Sequence, residues 1–319
     1  MRLPCIVLLE PEYRDYVWGG SRLRPGIGPT AEAWVVYEHN RVGSGVLVGR
    51  TLQELVLEYK DAILGRRVVR RTGLRFPLLV KLLDSAEWLS LQVHPNDEQA
   101  LNLEGADQFG KTEAWHVVEA AEGARVIGGL KPGTNRKAME EAIISGSILD
   151  LAHYVEVLAG DTIFMPAGTI HSLGPGLLMY EVQETSDLTY RVWDWGRPQI
   201  GGRVLHIDKS LAVADPASRA KVIPLPVIPD GSAVPLTRCP YFELSMIQSE
   251  NNHLDLDTEG ESFHALTVIE GSVNIRAGEE DLRLDKFQTT LITANTGKYM
   301  LSPISKFTML KANVGHLNR

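Results

Sequence analysis

Gly160-Asp161-Thr162-Ile163-Phe164-Met165-Pro166-Ala167-Gly168-Thr169-Ile170-His171 is the stretch on which the fold turns. Gly160 turns the chain, residues 162–165 have strand composition, and Pro166 with Gly168 forces a tight bend. The bend delivers His171 at the start of the following strand, either as a metal ligand or as an incidental residue of a hairpin. On both sides short β-type runs dominate, at 33–37, 76–82, 115–118, 177–182, 190–193, 242–247, 265–269 and 290–292. Gly, Pro, Asn or Asp separate most of them. Such closely spaced short strands predict a sandwich or barrel.

The spacing around His171 resembles the second sequence motif of the cupin superfamily, in which the His is a metal ligand inside a small β-barrel. Helices are expected only in the first half. Thr51 and Glu54 form a capping box ahead of Leu52, Leu55, Val56 and Tyr59, a second helix begins near Asn96, and a third spans 135–144 with Gly146 as its stop. The Pro-rich segment 222–235 is expected to link two modules, residues 1–221 and residues 236–319. In the second module, 268–273 followed by 285–299 reads as a shorter barrel, and 291–297 carries no His where a cupin ligand would fall. The fold class expected is therefore mainly β: two cupin (jelly-roll β-barrel) modules, with a few helices inserted in the N-terminal half.

Composition excludes other classes. The 319 residues are 44% hydrophobic and 23% charged, enough to bury full cores. A formal net charge of −8 argues against a nucleic-acid surface, but not against a small phosphorylated substrate held by a few converging groups. Two distant cysteines, Cys5 and Cys239, make no disulfide framework and point to a reducing cytoplasm. The apolar opening 3–9 is short, interrupted by Pro4 and closed by Glu10, unlike a signal peptide. No stretch is long and apolar enough to span a bilayer, so a soluble cytoplasmic protein is expected, and nothing in the sequence demands more than a monomer.

Three further segments carry chemistry. In Leu89-Ser90-Leu91-Gln92-Val93-His94-Pro95, alternation puts Gln92 and His94 on one face. In Gly110-Lys111-Thr112-Glu113-Ala114-Trp115, Lys111 and Glu113 share a face, either as a surface ion pair or as the carboxylate of a His-rich divalent site. Gln92, His94, Glu113 and His171 together would leave a divalent ion with net positive charge and room for substrate. The run 180–195 packs acids, hydroxyls, aromatics and Arg191 into two strand-like stretches joined by a polar turn, as a hairpin would.

Taken in order, these four segments resemble the type I mannose-6-phosphate isomerases, the short bacterial form. The motifs are Leu-Ser-x-Gln-x-His-Pro, Gly-Lys-x-Glu-x-Trp, Pro-Ala-Gly-x-x-His and Glu-x-Gln…Ser-Asp-x-Thr-Tyr-Arg-x-x-Asp; Val17-Trp18-Gly19-Gly20 and Glu32-Ala33-Trp34 also look like the family's opening motifs. The resemblance covers most of residues 10–215. It implies an aldose–ketose isomerase with one Zn2+ bound at Gln92, His94, Glu113 and His171, an active-site Arg at Arg191, and polar site residues at Lys111 and Glu181. Ser90 and Lys81 match positions of phosphate contact. Val35 departs from the family, which often carries an acid there. For the proton carrier, Glu181 and Lys111 both remain open. His39, His116, His153, His206, His253, His264 and His316 lie outside the motifs and are expected to pack or face solvent. A non-catalytic sugar-phosphate sensor, a cupin isomerase of another sugar phosphate and a metal dioxygenase are the competing functions; a Gln ligand disfavours the last.

Overall fold

The computed structural model describes residues 2–199 and 203–315; His316 lies outside them. The chain is mainly β, with few helices. It divides into two compact units, one of Met1–Glu12, Trp34–Val80 and Leu225–Arg319, the other of Tyr13–Ala33 and Lys81–Pro224.

This division differs from the expected one at residue 221. The N-terminal strand Ile6–Leu9 pairs with Thr289–Ile292, from Ile6 opposite Ile292 to Leu9 opposite Thr289, so the apolar opening belongs to a C-terminal sheet. Chain-distant pairing of this kind leaves no local trace in sequence. The expected linker is shorter as well. Lys221–Ile223 pairs with Thr162–Met165, and Ser232–Arg238 pairs with Glu243–Ser249, which leaves only 224–231 outside strands.

In the unit of Tyr13–Ala33 and Lys81–Pro224, two sheets carry the side chains of interest. One is five-stranded, in the order Tyr190–Trp193, Leu91–Val93, His171–Leu173, Arg125–Leu130, Ala152–Glu156. The other runs Lys221–Ile223, Thr162–Met165, Glu113–Ala120, Leu177–Glu184 and on to the parts of Leu78–Ser85, Glu32–Val36 and Glu12–Arg14 that fall in this unit, residues 81–85, 32–33 and 13–14. Thr162–Met165 and His171–Leu173 thus lie in different sheets, as do Leu177–Glu184 and Tyr190–Trp193. The run 180–195 is therefore not the hairpin read from its sequence, and of the two readings of the bend before His171 the hairpin does not hold. Both bends cross from one sheet to the other, which is how a jelly roll closes its core. Trp115, Val117, Ile163, Met165, Leu177 and Met179 form one apolar cluster.

Helices start where the caps predict. The Thr51–Glu54 capping box opens Leu52–Tyr59, an Asn96–Gln99 box opens Asp97–Glu104, and Asn135 caps Arg136–Ser145, which Gly146 ends in the left-handed region. Helix Ile207–Val213 was not expected, because His206 at its N-cap makes no side-chain bond and offers no capping signal. No helix among the described residues is long and apolar enough to cross a membrane.

Candidate active site

The five-stranded sheet builds one wall as a row. Gln92 stands opposite His171 on one side and opposite Arg191 on the other, so the three share a line across neighbouring strands. His94 follows at the strand end. Its backbone carbonyl accepts the Gly168 N–H at 2.8 Å, which ties the Pro166–Gly168 bend to the Gln92–His94 strand. Gly168 sits at φ +82°, where glycine alone is unstrained.

The other sheet supplies acids. Glu113 lies opposite Gln183, and Glu181 opposite Trp115. Lys81 and Glu32 come from the neighbouring strands Leu78–Ser85 and Glu32–Val36.

His94, Glu113 and His171 are buried, with ligand atoms within 4.8 Å of one another. His94 Nδ1 donates to Leu188 O at 2.8 Å, and His171 Nδ1 donates to Thr169 O at 2.8 Å. A carbonyl can only accept, so each ring carries its proton on Nδ1 and turns a bare Nε2 inward. Those lone pairs face Glu113 at 3.2 Å (His171) and 3.5 Å (His94), a repulsive arrangement unless a cation lies between them. Among the described residues neither Glu113 oxygen meets a donor in good hydrogen-bond geometry. Lys111 Nζ sits 3.0 Å from Glu113 and 3.2 Å from His94 Nε2, standing in for positive charge at the point of convergence. Gln92 brings its amide to the same point, 3.3 Å from His171 Nε2, and a half-turn of the amide offers oxygen instead. Two neutral imidazoles, a carboxylate and an amide oxygen fit a divalent ion.

Charge in this cluster is strongly divided. Burial, with Lys111 beside it, pushes His94 well below the usual imidazole range. Burial opposes ionisation of Glu113, yet Lys111 and the two histidines hold it well below the usual carboxylate range. Glu181 goes the other way: burial and the Glu113 charge raise it, against Lys111 and Lys81. Trp115 Nε1–H donates to Glu181 Oε2 at 2.8 Å, leaving Oε1 facing Lys81 at 3.6 Å and Lys111 at 3.9 Å. Burial alone would lower Lys81, but Glu32, also 3.6 Å away, and Glu181 hold it above its ordinary value.

These groups open on a cavity of about 640 Å3 lined by Lys81, Ser90, Gln92, Lys111, Glu181 and Arg191. Sequence reasoning missed other parts of the wall. Glu32 and Asp187 line it and stood inside quoted motifs, but without an assigned role. Tyr16, Arg203 and His206 also line it, and only Tyr16 had a signal, its place beside Val17-Trp18-Gly19-Gly20. That motif works by close approach: a Cβ on Gly20 would lie 2.3 Å from Asp84, and one on Gly19 2.7 Å from Ala31 N. His206 corrects an expectation, for it is neither surface nor mere packing. It accepts the Arg191 N–H at 3.1 Å on Nδ1 and donates its own N–H to Arg191 O at 2.8 Å, so it fixes the backbone that presents Arg191. His116, on the Glu113 strand, does not join the site: it bonds Thr162 Oγ1 at 3.0 Å, and burial pushes it down to about 4.

Residues 6–120 match the family model of the type I phosphomannose isomerase catalytic domain. A mannose-6-phosphate isomerase of Streptococcus mutans is 33% identical over 305 residues, 92% of this chain and 93% of that protein. The crystal structure of the mannose 6-phosphate isomerase from Bacillus subtilis superposes with a TM-score of 0.82 at 27% identity, covering 98% of this chain and all (100%) of that one. A zinc-bound mannose 6-phosphate isomerase shares the fold at a TM-score of 0.76 and 17% identity, over 98% of this chain and 100% of that one. With a relative 33% identical matched along nearly the whole length of both chains, the chain belongs to the type I mannose-6-phosphate isomerase family.

Proposed function

We propose that this chain interconverts mannose 6-phosphate and fructose 6-phosphate by moving a proton between C1 and C2 through an enediol(ate). The observation that carries this is that Gln92, Lys111, Glu181 and Arg191 line one cavity while the buried His94, Glu113 and His171 group lies against Gln92 and Lys111. Gln92, His94, Glu113 and His171 are the proposed metal ligands, and the ion is proposed to be zinc, as in the zinc-bound relative. A divalent ion there supplies Lewis acidity toward developing negative oxygen.

The chain's own groups do the rest. Arg191, one strand from Gln92, aims a fixed positive charge at oxygen in a partly dry pocket. Of the two proton carriers left open by sequence, Glu181 has the better support. A base that takes and returns a proton works best with a pKa near the working pH, and burial beside Glu113 raises Glu181 in that direction while Glu113 stays ionised. Trp115 orients it. Lys111, 3.0 Å from Glu113, is the proposed second catalytic group. Ser90 and Lys81 are the proposed phosphate contacts; because Lys81 shares its charge with Glu32 and Glu181, Ser90 is the freer of the two. The negative net charge and the two free cysteines support a cytoplasmic enzyme without nucleic-acid partners, acting as a monomer.

The test is a coupled assay with mannose 6-phosphate before and after chelation, with zinc add-back. Metal-dependent formation of fructose 6-phosphate is expected, falling by about 10²-fold or more in Arg191→Ala. Absence of turnover in metal-loaded protein overturns the isomerase assignment and favours a sensor or another sugar phosphate.

A further inference from the structure

In the unit of Met1–Glu12, Trp34–Val80 and Leu225–Arg319, three strands lie side by side: His264–Glu270, Phe307–Asn313 and Glu243–Ser249. Lys311 stands between Leu266 and Ser245, and Asn313 is opposite Glu243. Alternation puts Leu266, Val268, Phe307, Met309 and Ile247 on the face that forms this unit's apolar core. Followed to its end, the same face changes character and carries His264, Lys311, Asn313, Ser245 and Glu243. His264 is 6% exposed and Asn313 7%, so these are interior positions. His264 pairs with the Tyr299 hydroxyl at 2.7 Å.

The helix Arg66–Thr72 closes on this end. Its start is pinned to the loop before His264: Arg66 N–H donates to Gly260 O at 3.0 Å and Arg67 N–H to Glu261 O at 3.2 Å. Its four arginines then split by face. Arg66 and Arg70 both go to Glu261, at 2.6 and 3.4 Å. Arg67 and Arg71 face the other way, with Arg71 over the Tyr241 ring at 5.7 Å. Arg67 Nε and Nη1, Arg71 Nη1 and Asn313 Oδ1 are buried and make no hydrogen bond among the described residues. The acids in reach are already engaged: Glu261, which acts most strongly on Arg67, is held by Arg66 and Arg70, and Glu243 is paired with Arg238 at 2.9 Å. Strand register sets Lys311 and Asn313 on the face that carries His264, and Arg67 and Lys311 both act electrostatically on that ring.

Buried guanidinium N–H groups without acceptors are costly, and guanidinium forks with an ammonium and an amide match the geometry of an oxyanion. We propose that this end of the second unit binds a small oxyanion, a phosphate or carboxylate group, held by Arg67, Arg71 and Lys311, with His264 and the Asn313 amide, turned so that its NH2 and not its Oδ1 meets the ion, as neutral partners. The site is separate from any phosphate grip in the catalytic pocket, since all of its residues belong to the other unit.

Titration calorimetry of the metal-loaded enzyme with inorganic phosphate, and separately with citrate, tests it. Two phosphate sites are expected in the wild type, one of them weakened at least tenfold in both Arg67→Gln and Lys311→Met, with kcat and KM for mannose 6-phosphate unchanged. Arg67→Gln keeps a hydrogen-bonding side chain of similar reach, so the test stands if Lys311→Met fails to fold. Citrate competing for the same site identifies a carboxylate ligand, and phosphate binding without citrate competition identifies a phosphate ester; either supports the site. A single phosphate site, unchanged in Arg67→Gln, and no citrate binding sensitive to that substitution overturn it.

Discussion

Behind the metal-ligand strand, Glu184 is shut away from water with its Oε1 accepting the Thr112 N–H at 2.8 Å. Burial, with Asp97 alongside, pushes its carboxyl up to about 8. The folded protein therefore holds a proton that the unfolded chain releases near 4.5. Between those values the folded state binds more protons, so the contribution of Glu184 to stability is complete below about 4.5 and is lost as pH rises towards 8. A slope of up to about 1.4 kcal/mol per pH unit is the limit for one proton. Glu184→Gln keeps the acceptor for Thr112 but cannot ionise. Denaturant unfolding from pH 5.5 to 7.5 is expected to show the variant gaining on the wild type as pH rises; parallel curves would sink the assignment. The contrast with the ligand residues shows what sequence can carry. Among the proposed ligands, alternation within a strand singles out Gln92, His94 and Glu113, and the turn singles out His171. Glu184, Glu32 and His206 gained their settings from other strands and loops, which no local spacing encodes.

Among the connecting elements, Gly110 shows how the backbone sets a functional side chain. A Cβ there would lie 2.5 Å from the Asn96 carbonyl carbon and 2.6 Å from Asp97 N, at the capped start of helix Asp97–Glu104. The Gly110 N–H donates to Asp97 Oδ1 at 2.9 Å, and the next N–H, of Lys111, donates to Pro95 O at 2.9 Å. The His94–Pro95–Asn96 turn and the Lys111 segment are thus laced together, which brings Lys111 Nζ onto His94 and Glu113. Gly110→Ala is expected to push the two backbones apart at a cost of about 1–3 kcal/mol and to lower kcat about tenfold or more, because Lys111 moves with the backbone. A variant with lower Tm but wild-type kcat would show that Lys111 does not depend on this contact. Element identity was largely readable, since caps at Thr51, Asn96 and Asn135 and strands at 162–165 and 190–193 lie where the residues predict. Partnership was not. The supposed hairpin of 180–195 proved to be a crossing between sheets, as did the bend before His171, because a tight bend has the same Pro, Gly and polar residues whether its strands pair or part.

For the molecule as a whole, the proposed metal ligands are buried, and the proposed metal site therefore predicts that metal binding and folding are linked. Glu113, His94 and His171 are 0–1% exposed, and their lone pairs face one another with the Lys111 ammonium and the Gln92 amide beside them. An ion that binds this arrangement and not the unfolded chain stabilises by about 2.7 kcal/mol at a hundred times its Kd. The strands that hold the ligands, Leu91–Val93, Glu113–Ala120 and His171–Leu173, belong to both sheets of one unit, so their hydrogen bonds should report the loss together. Chelation is expected to lower Tm and raise amide exchange in all three strands, and added Zn2+ to restore both. The same treatment of Glu113→Gln, which removes the one negative ligand, should change little, because that variant binds the ion weakly from the start. Unchanged exchange in the three strands after verified metal removal would mean that the cluster is held by Lys111 and packing alone, and the metal assignment would fall with it.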